Sequence, residues 1–379
     1  MKKIFFLCLL AVLLTPTLTL AQNESSASNP QTFEARVLEI LEQRQLLRED
    51  GSKNIQQNIK LKGLEGDFKD RNFIYDGIGN LDVVSSNLYE RGDRAVVNYS
   101  RDADGNDKFY IIDYVRRGQL YFLAFIFALV VVLVGRWKGI KSLISLVVTF
   151  FIIMKFMIPL ILSGNSPVLI GVIGSFFILL FVVYLTEGWN RRSHIAVFGI
   201  LMTLVLTYVL SALFSGFTKL TGTAPEEVGA LIELKRGMID FRGLLLASIL
   251  IGTLGVLDDV VLSQVEAVAQ IKEANPALPK RKVFGMAFKI GTTHLGAVIN
   301  TLFLAYAGAS LPLLLLFGVK EPPFLTFGQV INNEIIATEI VRTLVGSIGL
   351  ALAVPIATFS AVFFLRPGEK IHEGRARAR

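Results

Sequence analysis

From Leu120 onward the chain is built of apolar runs, at 120–135, 141–162, 167–187, 194–216, 243–265, 284–308 and 342–365. Several of them approach or exceed the roughly 18–20 apolar residues that carry a helix across a bilayer. That feature leaves few folds open, because backbone in hydrocarbon must bond within its own segment, as a helix does. Composition agrees: 53% of residues are hydrophobic and 18% charged, against about 25% charged in soluble domains. The charge is also uneven. It fills residues 34–118 and then thins out, so the chain reads as an aqueous module followed by a lipidic one.

The N-terminus has the form of an export signal. Met1-Lys2-Lys3 precedes an apolar stretch from Ile4 to about Leu14, then Thr19-Leu20-Ala21 before Gln22. Residues 1–21 are thus expected to be a signal peptide, or an uncleaved signal anchor, and 22–32 a polar linker. Residues 33–118 then read as an exported β-rich domain. Phe33, Ala35 and Val37 alternate with polar neighbours, Ile55, Ile59 and Leu61 follow, and Ala95–Tyr99 and Phe109–Tyr114 flank Asp104-Gly105 as a hairpin. About 80 residues of short strands suggest a small barrel or sandwich. Asp102-Ala-Asp-Gly-Asn106 echoes the start of a calcium loop, but Asp107 stands where that loop needs glycine, so a solvated turn is expected.

The basic residues carry orientation. With the β-domain outside, Arg136, Lys138 and Lys141, then Arg191 and Arg192, then Lys280-Arg281-Lys282, and the tail arginines of 367–379 all fall on the inner side. The net charge of +7 is explained there, and no basic patch with interleaved aromatics points to nucleic acid. The lone cysteine, Cys8, can form neither an intrachain disulfide nor a cysteine metal cluster. The expected architecture is an α-helical polytopic membrane protein of about seven transmembrane helices over 119–366. It carries a small N-terminal exported all-β barrel-like domain and a cytoplasmic C-terminus in a bacterial cytoplasmic membrane. Leu311–Val319 is too short to span and is bounded by prolines, so it is expected to be re-entrant or interfacial.

Ionisable residues inside spans are costly and usually mark function. In the fifth run Gly252, Gly255, Asp259, Ser263, Glu266 and Gln270 share one helical face. In the sixth, Thr293, His294, Ala297, Asn300 and Thr301 share an arc. Before the seventh, Glu339, Arg342, Thr343 and Gly346 recur at helical spacing. Asp258 and Asp259 could instead mark a helix end. Glu339–Arg342 could be a surface ion pair of little energetic worth. Lys155 is explained by snorkelling. The zinc, nucleophile-elbow and phosphate-loop motifs are missing, so neither enzymatic activity, a metal nor a cofactor is expected.

Gly255–Ser263, Thr293–Gly308 and Ala337–Leu350 resemble the YibE/F-like family of bacterial multi-pass membrane proteins. The resemblance runs from about Glu34 to Leu365. It implies the multi-span architecture and, since the family commonly has an apolar residue at 258 and one aspartate matching Asp259, favours Asp259 over Asp258. It implies no substrate.

Two functions follow as expectations. One is a secondary transporter or permease of an unidentified small solute or ion, proton- or cation-coupled, with Asp259, Ser263, His294, Asn300, Glu339 and Arg342 along its pathway. The alternative is a non-transporting envelope protein whose β-domain binds a partner. The lipid bilayer is a partner in both, and a homo-oligomer or an envelope protein a further one.

Overall fold

The computed structural model describes residues 31–47, 53–78, 88–102, 105–224, 228–229, 231–232, 239–315, 318, 320, 322 and 324–366. The signal segment, nearly all of the linker and the basic tail lie outside the described residues. The chain divides into two compact units between Val130 and Val131, and each is taken by itself.

The first unit holds β1 (Gln31–Leu47), β2 (Lys53–Gly63), β3 (Asn72–Asp76), β4 (Arg94–Arg101) and β5 (Asp107–Tyr114), all antiparallel in the order β3-β2-β1-β4-β5. The 17-residue β1 pairs with β4 through Arg36 and with β2 from Ala35 onward. Register shifts after Val37 and Ile40 bend it between the two partners. The sheet therefore curls into a half-barrel. Its inner face is the alternation read from sequence: Phe33, Ala35, Val37, Ile59, Leu61, Ala95 and Val97 are buried. Phe33 stacks on Phe68 at 4.6 Å and Phe73 on Phe109 at 4.4 Å. Buried Gln57 exchanges two hydrogen bonds with the Tyr89 backbone, at 2.9 and 3.2 Å, and so acts as a short extra strand. In the Asp102 turn both carboxylate oxygens accept from Asn106.

The helices follow as α1 (Arg117–Phe151), a π-helical turn (Ile152–Met157), α2 (Ile158–Leu162), α3 (Pro167–Thr186), α4 (Arg191–Phe217), α5 (Phe241–Ala274), α6 (Lys280–Ala309), α7 (Leu311–Leu314), α8 (Phe327–Asn332) and α9 (Glu334–Phe364). Among the described residues six helical stretches are long and apolar enough to cross a membrane, where the sequence suggested about seven. The difference lies in the first stretch, Arg117–Leu162, which merges the two earliest apolar runs. Its helix is interrupted at Arg136, whose φ of 48° and ψ of −129° are not helical. Beyond the break Gly139 packs on the Val131 carbonyl. An uninterrupted helix would hold residues eight apart at about 12 Å. The π turn has a local cause: Pro159 has no N–H for the Lys155 carbonyl, and the helix widens before it. Of the 311–319 segment, Leu311–Leu314 is a one-turn helix, and residues 316, 317 and 319 lie outside the described residues.

Small residues bring α4 and α9 together. Gly199, Thr203, Thr207, Ser211 and Ser215 repeat every fourth position and are buried. The Thr203, Thr207 and Ser211 hydroxyls each donate to the carbonyl four residues back, at 2.7–2.9 Å, so no polar atom is spent on the interface. Gly349 of α9 lies on Thr207, and a Cβ at Gly346 would stand 3.3 Å from Thr253 Oγ1 of α5. Such contacts drive helix association where lipid competes equally for apolar surface.

The connections sort to two ends of the helical unit. At one end Lys141 donates to the Thr186 carbonyl at 3.4 Å, Arg192 pairs with Glu266 at 2.7 Å and with Glu273, and Lys280 lies over Phe363. Lys272 donates at 2.7 Å to the carbonyls of both Val362 and Leu365, capping α9. At the other end Glu334 accepts from the Thr221 and Gly222 amides, and Asp240 caps α5. The basic loops singled out from sequence thus gather at one end.

Candidate functional site

The middle of α5 carries two adjacent carboxylates that look different ways, as neighbours about 100° apart on a helix must. Asp258 is half-buried and borders a cavity of about 140 Å³ whose other walls are Thr149, Ile178, Leu179, Val182, Ile251, Leu254 and Gly255. Its Oδ1 accepts from the Asp259 amide at 3.0 Å. Asp259 itself points outward with Gly255, Ser263, Glu266 and Gln270, so the shared face read from sequence is the exposed face of α5. The sequence preference for Asp259 overlooked the cavity, whose walls come from three helices far apart in the chain.

A second polar group lies toward the opposite end. Arg342 of α9 donates to Glu339 Oε1 at 2.7 Å and to Ser248 Oγ of α5 at 3.4 Å. Both charged side chains are close to one-fifth exposed, so the pair is not a surface ion pair. The Arg342 Nε is buried and has no hydrogen-bond partner among the described residues. Tyr306 of α6 lies within electrostatic reach of Arg342 and Glu339, and its hydroxyl abuts Gly252, where a Cβ would come within 2.5 Å. Ser248 and Tyr306 were not among the expected site residues. Glycine at 252 is the one sequence signal for Tyr306, since it leaves room for the phenol.

His294 and Asn300 sit on the outward face of α6 with Thr293, Ala297 and Thr301. Among the described residues no hydrogen bond or ion pair joins Asp259, His294 and Asn300. The inward faces are taken by another group. Buried Gln264 of α5 donates to the Ala287 carbonyl of α6 and to Thr358 Oγ1 of α9, both at 2.7 Å, with Gly291 packed on its amide. One side chain thereby ties three helices, leaving the polar arcs of α5 and α6 outside a single chain. No group of three or more His, Cys, Asp or Glu that could hold a metal occurs among the described residues.

Taken together, a bundle of helices long and apolar enough to cross a membrane, with carboxylates, an arginine and a tyrosine along them, defines a multi-span membrane protein with ionisable groups among its helices. A family model described as YibE/F-like protein matches residues 123–367, and the chain belongs to that family. The match covers the helical part and begins after the half-barrel, whereas the resemblance was expected to start near Glu34. No curated protein and no solved structure matches the chain.

Proposed function

We propose that the protein is a secondary transporter in a bacterial cytoplasmic membrane, moving a small solute or ion and coupled to a proton or cation. The observation that carries the reading is Asp258 at the edge of an apolar cavity within the helical unit. A carboxylate there is expensive in hydrocarbon, which is the usual mark of an ion-handling position. Arg342, with Glu339, Ser248 and Tyr306 around it, supplies a polar station toward the other end. Asp259, Ser263, His294 and Asn300 belong to the pathway in this reading through their positions on α5 and α6.

The β-domain lies outside and the basic end inside, with the break at Arg136 dividing the first stretch into two crossings, seven in all. Reporter fusions test this: residues 100 and 225 should report outside, and 138, 191, 281 and 375 inside. A cytoplasmic signal at 225 would overturn the topology.

Transport is tested with purified protein in liposomes carrying an internal pH-sensitive dye, under imposed proton, sodium and potassium gradients. Flux above that of empty liposomes, lost in Asp258→Asn, is expected. No flux under any gradient would favour the alternative, a non-transporting envelope protein whose β-domain binds a partner. That alternative leaves Asp258 and Arg342 without a role.

A further inference from the structure

We infer that the outward faces of α5 and α6 are the interface with a second copy of this chain, with Asp259 of each copy meeting the turn that holds His294 of the partner subunit. The inference does not depend on transport. It begins with the coverage of α6. Only 11% of its most apolar window is buried, against 39–56% for α3, α4, α5 and α9, and its mean hydropathy is the lowest of the six at 1.2. Beside apolar Ile290 and Leu304 it turns outward Thr293, His294, Asn300 and Thr301, with Gly296 and Ala297 between them. The Thr293 and Thr301 hydroxyls donate to carbonyls four residues back in α6, at 3.0 and 2.9 Å, whereas His294 and Asn300 have no hydrogen-bond partner among the described residues and hydrocarbon gives them none. Small residues interleaved with hydroxyls and amides are what packed helix faces in membranes use.

Depth selects the partner. The helices α5 and α6 are antiparallel, with Gln264 against Ala287 and Gly291, and Gly252 against Tyr306. Interpolating between these contacts puts Asp259 level with the turn of His294 and Ala297. Within one chain no bond joins Asp259 to His294. A two-fold axis along the membrane normal preserves depth, so a second copy presents its α6 turn at the level of Asp259, and the reverse contact forms at the same time. The face is self-complementary. It sets Asp259 on α5 and His294 on α6 at matching heights, and the histidine and asparagine can both donate and accept.

The test is cross-linking in native membranes, in a Cys8→Ser background that removes the sole cysteine. Two differently tagged copies, one Asp259→Cys and one His294→Cys, are co-expressed and treated with a bifunctional maleimide. An adduct carrying both tags, at twice the chain mass of 41.8 kDa, is expected. Ala297→Cys keeps both Asp259 and His294 and should cross-link to itself, whereas Val205→Cys, exposed on α4, should not. Four results would each overturn the inference. One is that neither cysteine reacts with any maleimide, meaning another segment of the same chain covers the face. Another is an adduct of any other mass, meaning a different protein. A third is equal yield at Val205→Cys, meaning random collision. The last is no adduct while both cysteines react with a lipid-soluble monofunctional maleimide, meaning the face meets lipid.

Discussion

The half-barrel and the helical unit treat polar groups in opposite ways. In the half-barrel the inner face is apolar and aromatic, buried Gln57 is answered by the Tyr89 backbone, and Asn98 Oδ1 alone among its buried side-chain polar atoms lacks a partner among the described residues. Its ion pairs stand at the surface, such as Arg116–Asp113 at 2.6 Å. In the helical unit Asp258 borders an apolar cavity, Arg342 keeps a buried nitrogen without a partner among the described residues, and Asp259, His294 and Asn300 face outward from long apolar helices. The first pattern follows from folding alone. The second costs free energy that folding does not return. Function is therefore to be sought where the fold fails to account for the residues.

The contrast breaks most easily at the half-barrel core. Residues 33–116 made alone should fold as a strand-rich unit, and Phe33→Ala should cost about 3–5 kcal/mol, because a stacked ring is replaced by a cavity. Urea denaturation followed by circular dichroism measures it. A random-coil fragment would remove the domain as an independent unit.

Gly291→Val should destabilise the helical unit by about 1–3 kcal/mol, since its Cβ would be driven onto Gln264 and Val354. Gln264→Leu should cost less, about 0.6–2 kcal/mol, the range for hydrogen bonds between helices in membranes. Melting in detergent ranks the two. The reverse order would mean that the amide, rather than close packing, holds α5, α6 and α9 together.

The smallest effect is a pH dependence confined to the half-barrel. The hydrogen bond from Tyr114 to Asp93 Oδ1, at 2.5 Å, lifts the Tyr114 phenol to about 12, and burial lifts Tyr89 to about 12 as well. An unfolded tyrosine titrates near 10. Between those values the unfolded chain gives up protons that the folded domain keeps. The stability these phenols contribute is therefore complete below about pH 10 and is lost as pH rises toward 12. Tyr114→Phe should flatten part of that decline and cost about 1 kcal/mol at neutral pH through the lost hydrogen bond.

How much was legible in the sequence follows the same division. Strand alternation exposes a core directly, so Phe33, Ala35, Val37, Ile59 and Leu61 could be placed from spacing, as could the hairpin between β4 and β5. Apolar length likewise located the long helices. The break at Arg136 falls where the sequence placed a basic loop between the runs 120–135 and 141–162, although no proline marks it. The polar face of α5 was correctly grouped, yet spacing along one helix cannot say which side its neighbours take. Gln264, one turn from Asp259 and facing the other way, owns the interior because Ala287 and Thr358 come to it from remote positions. The same limit hid the cavity beside Asp258 and the place of Ser248 and Tyr306 near Arg342.

The central claim is that the helical unit keeps a carboxylate against its own packing because activity requires it. Asp258→Asn tests this most directly when melting temperature and ion flux are measured on the same purified protein. Asparagine preserves the size of the side chain and removes only its capacity to carry charge. The account predicts a melting temperature equal to or above that of the wild type, together with loss of flux. A melting temperature lowered by several degrees, with flux per folded molecule unchanged, would contradict it and make Asp258 a structural residue.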